Sequence, residues 1–225
     1  NEVENAIGSR LKCQNIKSKS FSKPNPIIKK RAIDYSITQE NFEMLSPLSN
    51  PQDMPSESII DLLFPNNPLL CCGVSNSAFK TVSKVDWDDS LRKMQFIVPS
   101  PMSAKMGFTQ SGKPSSHTLS NTGQRRFLVV EFDDGTLDQQ ASIHYHLGTK
   151  FPLTLIVFSG SKSLHGWYYV QRSKELHIKE FFNYASSLGA DRATWTKSQF
   201  VRMPNGVRDN EKKQSVIFFN PKTIK

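Results

Sequence analysis

Cysteine is scarce in this 225-residue chain: there are three, two of them adjacent at Cys71 and Cys72. Three thiols cannot build a disulfide framework, and no paired C-x-x-C spacing is present to hold structural zinc, so a reducing, cytoplasmic setting is the expectation. Long hydrophobic runs are also missing. The longest, such as Leu153 to Phe158, fall far short of the ~20 residues that cross a bilayer, and no secretory signal pattern opens the chain. No membrane partner is expected. The first residue is Asn1 rather than Met, as in a piece of a longer protein. Acidic residues are the minority, 20 against 29 Lys and Arg, and the net charge of +9 favours a polyanionic partner. What is present in quantity is Phe, 15 residues, which with three Trp can fill a core despite a hydrophobic fraction of 37%.

The charge is unevenly placed. Residues 1 to 31 carry eight basic groups against Glu2 and Glu4, leaving only +3 for the remainder. Together with the Ser, Asn, Lys and Pro around them, they predict a basic arm or linker over residues 1–50, with a short helix around Ile37 to Leu45. An electrostatic tether and a plain solvated tail are both compatible with such an arm. Residues 51–225 are expected to form the folded core, as an N-terminal lobe and loop over 51–122 and a more regular half over 123–225.

In the N-terminal lobe, Ser56 followed by Glu57, Ile59, Ile60, Leu62 and Leu63 reads as a capped helix stopped by Pro65. Pro68 to Val74 and Gln95 to Val98 read as strands on either side of a short helix, Trp87 to Met94, and Pro99 to Thr122 as a long loop. The second half alternates regularly. It runs strand (Phe127 to Asp133), helix (Asp138 to Leu147), strand (Leu153 to Phe158), strand (Trp167 to Gln171), helix (Lys174 to Leu188, ended by Gly189), and final strands within Phe200 to Met203 and Ser215 to Phe219. The order βαββαβ is that of split βαβ and RNA-recognition-type sheets, and the fold class is α+β.

Three blocks carry chemistry. The strand FLVVEFDDG places Glu131 and Asp133 on one face near its end; two such carboxylates repel unless a hard cation such as Mg²⁺ or Mn²⁺ lies between them. A solvated strand end is the competing explanation. The stretch SGSKSLHGW offers a tight bend at Gly160, then Ser163 and His165 two apart, with Lys162 beside them: groups that bind phosphate oxygens, or else an ordinary turn. The third block runs from Gly189 and supplies Asp191, then Arg202 in an apolar strand context, then Arg208 past a Pro-Asn-Gly turn.

The succession Glu131-x-Asp133, Ser163-x-His165, and Asp191 followed by Arg202, set on βαββαβ, resembles the archaeo-eukaryotic primase superfamily, in particular primase-polymerases of mobile-element or CRISPR-associated type. The resemblance spans roughly residues 60 to 225. It implies a primase-like core with an RNA-recognition-like catalytic half packed on a smaller N-terminal αβ lobe. It further implies Glu131, Asp133 and Asp191 as ligands of two Mg²⁺ or Mn²⁺ ions and as the catalytic carboxylates. Ser163, His165, Arg202, Arg208 and Lys162 would bind the incoming NTP or dNTP, and single-stranded DNA template and primer would be the partners, with a helicase or other domain supplied from elsewhere. The family commonly has Asp at its first metal position, where this chain has Glu131.

Two rival motifs are present. Gly107 to Lys113 matches G-x-x-x-x-G-K, but Pro114 stands where a P-loop needs Ser or Thr. HGWYYV resembles the aromatic strand of an RNA-recognition motif, in which Trp167 and Tyr169 would stack bases. A non-catalytic binding module and a metal-dependent nuclease are therefore the alternatives to a primase-polymerase.

Overall fold

Asn25 followed by Pro26 is a helix start. In the computed structural model, which describes residues 21–208 and 210–224, Asn25 Oδ1 accepts from the Ile27 and Ile28 amides at 3.0 and 3.3 Å. Pro26, with no N–H to lose, opens α1 (Pro26–Ile33). A capping box between Thr38 and Asn41 then starts α2 (Gln39–Leu45). Phe21, Ala32 and Phe42 are buried in the core against these helices' neighbours. This corrects the expected arm. Residues 21–45 are part of the folded body because their few apolar side chains have a surface to cover; residues 1–20 lie outside the described residues.

The chain continues through α3 (Ser56–Leu63), β1 (Leu69–Gly73), β2 (Phe79–Ser83), a kinked 3-10 stretch (Lys84–Lys93) and β3 (Phe96–Ile97). Then come β4 (Gly107–Phe108), β5 (Pro114–Ser115), β6 (Phe127–Glu131), α4 (Leu137–Gly148), β7 (Leu153–Phe158) and β8 (Leu164–Tyr169). After α5 (Glu175–Ser187) and a 3-10 turn (Arg192–Trp195) the last strands are β9 (Val201–Arg202) and β10 (Val216–Phe219). Ser56 is the first residue of α3 and not its cap; Pro55 holds the N-cap position, and no side chain caps the helix there. The expected loop at 99–122 contains a small hairpin of β4 and β5.

The architecture is mixed α+β with antiparallel sheets. One sheet has the order β2-β1-β3-β9 and the other β10-β7-β8-β6. In the second, β6 and β7 both pair antiparallel with β8 between them, a split βαβ unit, and β10 joins on the far side of β7. The two segments expected as final strands therefore part company: β9 pairs with β3 in the N-terminal sheet and β10 stays in the C-terminal one. Residues 201–202 thus stitch the lobes together.

Alternation along the C-terminal sheet sends its side chains into two cores. Leu128, Val130, Ile156, Leu164 and Tyr168 meet the helices, whereas Phe127, Val129, Leu155, Val157 and Trp167 meet α3 and the N-terminal sheet. Both faces are covered, which explains why the strands read as near-continuous apolar runs. Trp167 is 0% exposed and Tyr169 9%. Neither offers a ring to a base, so the N-terminal lobe occupies the face that a base-stacking sheet would leave open. Among the described residues no helix is long and apolar enough to cross a membrane.

Candidate functional site

Glu131 is the last residue of β6, and its odd position places it on the face that looks toward the N-terminal lobe, beyond the end of the apolar contacts made by Phe127 and Val129. Asp133 follows on the same side. The third carboxylate arrives from a distant part of the chain. The Asp191 amide donates to the Glu131 carbonyl at 3.0 Å, and the Asp191 side chain caps the next 3-10 turn by accepting from the Ala193 amide at 3.0 Å. Carboxylate oxygens of Glu131, Asp133 and Asp191 all lie within 4.8 Å of one another.

β8 runs alongside. Register sets Glu131 opposite His165, and His165 Nδ1 lies 2.8 Å from Glu131 Oε2, an ion pair when the imidazole is protonated. On its other edge, His165 Nε2 is 3.2 Å from the Ser163 hydroxyl, which donates to Ser159 Oγ at 3.1 Å. Burial works to raise the Glu131 pKa, but His165, then Arg202 and Lys162, more than offset it and hold the carboxyl below its ordinary value. Lys162 is exposed, its ammonium 3.3 Å from Asp133 Oδ1.

The N-terminal sheet contributes Arg202 from β9. Its guanidinium lies over the Phe96 ring, 4.9 Å from the centroid, and donates to Gln95 Oε1 at 2.7 Å. Gln214, fully buried, steadies this pair by donating to the Gln95 and Met203 carbonyls, each at 3.2 Å. Gln95 and Gln214 were not singled out from the sequence; a glutamine inside an apolar strand context is the signal that marks them. Arg208 donates to the Ser159 carbonyl at 3.2 Å and lines an open cleft of about 510 Å³ together with Arg92, Lys93 and Lys213. The bend beside it turns at Gly160, where φ is +76° and a Cβ would lie 2.8 Å from the Lys213 carbonyl oxygen, so that no side chain fits.

Seven of the eight residues expected at the site join through contacts: the three carboxylates converge, His165 abuts Glu131 and Ser163 abuts His165, Lys162 pairs with Asp133, and Arg208 joins through Ser159. Arg202 is held by Gln95 and Phe96 and helps lower the Glu131 pKa. The acidic cluster can hold a metal ion: its donors are hard oxygens from three side chains, with Lys162 and His165 as the cationic or protonatable neighbours that touch them. The G-x-x-x-x-G-K stretch, in contrast, lies in the β4–β5 hairpin and has no strand-loop-helix around it.

No protein-family model and no curated protein matches the chain. Among solved structures it is similar to the cyanophage S-2L primase-polymerase (PrimPol), AEP domain (PP-N190), at 14% identity over 76% of this chain and 95% of that one, with a TM-score of 0.43. Two folds that superpose so loosely share no more than an outline, and the functional reading stands on the side chains.

Proposed function

We propose that the chain is the catalytic core of a template-dependent DNA primase-polymerase, transferring nucleotides from NTP or dNTP to a 3′-hydroxyl on a single-stranded DNA template by two-metal catalysis. The observation that supports it is the convergence of Glu131, Asp133 and Asp191 within 4.8 Å, from two separate segments, beside Ser163 and His165. Carboxylates brought together at such a distance repel, and a fold that assembles them gains from a cation.

Glu131, Asp133 and Asp191 would hold Mg²⁺ or Mn²⁺, which when bound supply activation of the 3′-hydroxyl and charge neutralisation at the departing phosphates. The rest falls to the chain's own groups. Ser163 and His165 would donate to phosphate oxygens from the floor of the site, with Glu131 keeping the imidazole turned so that Nε2 faces Ser163. Arg202, fixed by Gln95 and Gln214, presents a guanidinium whose direction is set before substrate arrives. Lys162 and Arg208 add positive charge on either flank of the Ser159–Ser163 turn. The binding-module alternative loses its stacking surface with the burial of Trp167 and Tyr169.

The test is incorporation on primed and unprimed single-stranded DNA, with each nucleotide type and with Mg²⁺ or Mn²⁺. Incorporation supports the polymerase; degradation of the strand would select the nuclease, and binding with no chemistry would select the recognition module.

A further inference from the structure

The G-x-x-x-x-G-K stretch that fails as a P-loop forms a framed hairpin. Gly107 pairs with Ser115 and Phe108 with Pro114, and the turn closes by the Thr109 amide donating to the Lys113 carbonyl and the Gly112 amide to the Thr109 carbonyl, each at 2.9 Å. Asn121 frames the hairpin from below. Its Nδ2 donates to the Ala104 and Ser116 carbonyls at 3.1 and 3.0 Å, and its Oδ1 accepts from the amide and hydroxyl of Thr118 at 2.9 and 2.7 Å. Gly107 sits so close to this frame that a Cβ there would lie 2.4 Å from Thr118 Oγ1. On this well-tied support Phe108 is 68% exposed and Met106 54%.

The hairpin is rooted at the functional site. Lys197 Nζ donates to the Thr122 and Gly123 carbonyls at 2.7 and 3.0 Å. His117 Nε2 donates to the Ser198 carbonyl at 2.5 Å, and the His117 ring stacks on Phe200 with centroids 3.9 Å apart. Residues 197–200 are the connection between Asp191 and Arg202. The base of the hairpin is therefore held against the stretch of chain that carries a carboxylate of the cluster at one end and the fixed guanidinium at the other. Charge selects its occupant: residues 99–122 contain Lys105 and Lys113, both exposed, and no Asp or Glu.

We propose that the β4–β5 hairpin is a docking surface for single-stranded nucleic acid, with Phe108 as a platform on which a base stacks and Lys105 and Lys113 as partners of the flanking phosphates. An exposed aromatic ring on a framed support, in a segment that carries lysines and no acidic residue, suits binding of single strands without reading sequence, since every base has a π-face. The inference rests on a polynucleotide being the protein's substrate.

The experiment is fluorescence-anisotropy titration of a labelled oligothymidylate in EDTA, so that no turnover is needed. Phe108→Ala is expected to weaken binding by about tenfold without changing the slope of log affinity against log salt, because no charge is lost. Phe108→Trp should bind like the wild type. The Lys105→Ala/Lys113→Ala protein should show a slope shallower by about 0.7 for each phosphate contact removed. Wild-type oligonucleotide affinity in a folded Phe108→Ala protein would overturn the proposal. So would loss of self-association in that variant with DNA affinity intact, since the occupant would then be a second copy of the chain. Failure of the wild-type protein to incorporate nucleotides, with the Phe108 effect on binding present, would sink the polymerase reading alone; incorporation with no Phe108 effect would sink this inference alone.

Discussion

The Asp191 amide donates to the Glu131 carbonyl at 3.0 Å. One backbone hydrogen bond thus ties two carboxylates sixty residues apart in sequence into a common cluster, and it does so without using either side chain. Both side chains remain available, Asp191 for its cap and both for a cation.

Asp133→Ala should reduce nucleotide incorporation by roughly two orders of magnitude or more, the scale of removing a fixed electrostatic group from a reacting centre. The fold should survive, because Asp133 is exposed and its Lys162 contact is an ion pair in solvent, worth about 0 to 1 kcal/mol. Thermal melting within about 4 °C of the wild type, combined with near-normal incorporation, would remove Asp133 from the site.

Arg202→Ala should weaken nucleotide binding by roughly ten- to a hundredfold, the loss of one charge-assisted phosphate contact of about 1.5 to 3 kcal/mol. Affinity for single-stranded DNA should barely change. Isothermal titration with a nucleoside triphosphate and with an oligonucleotide separates the two, and an equal loss of both would place Arg202 on the strand instead.

His144 gives a pH dependence of stability. The Leu164 carbonyl accepts from Nε2 at 3.1 Å, so Nδ1 accepts from the Tyr168 hydroxyl at 3.0 Å, and the neutral ring is fully satisfied. Burial pushes its pKa down to about 4, the Leu164 hydrogen bond opposing and the charge of His165 assisting. Between that value and the ordinary one near 6.5 the unfolded chain takes up the proton and the folded one does not. Stability therefore falls as pH drops from about 6.5 to about 4, by something on the order of 3 kcal/mol. Denaturant titrations across this window should show the loss in the wild type and its disappearance in His144→Gln, itself less stable at neutral pH; parallel pH curves for the two proteins would contradict the assignment.

Phe21→Ala should destabilise by about 3 to 5 kcal/mol, as deleting a buried aromatic does. Phe21 packs edge-on against Phe182 and Trp195 at 4.9 and 5.1 Å, next to the turn that Asp191 caps. A drop in melting temperature of roughly 6 to 20 °C is the expected reading. An unchanged melting temperature would mean that residues before α1 contribute nothing to the fold.

The sequence by itself determined the parity of the site. The two-residue repeat of a strand places Glu131 and Asp133 of FLVVEFD on one face and pairs Ser163 with His165, whatever surrounds them. Local chemistry also located most helices, but Pro26–Ile33 lies where composition predicts an arm, because what holds that helix is a core surface supplied from elsewhere in the chain. Tertiary structure decided the rest. Pairing of β9 with β3, and not with its neighbour in the chain, carries Arg202 across to the N-terminal sheet; burial of Trp167 depends on what covers its face of the sheet; the meeting of Asp191 with Glu131 depends on where a remote turn lands. These are contacts between segments far apart in sequence, and no local periodicity encodes a partner that is chosen by shape and by the hydrogen bonds left unmade elsewhere.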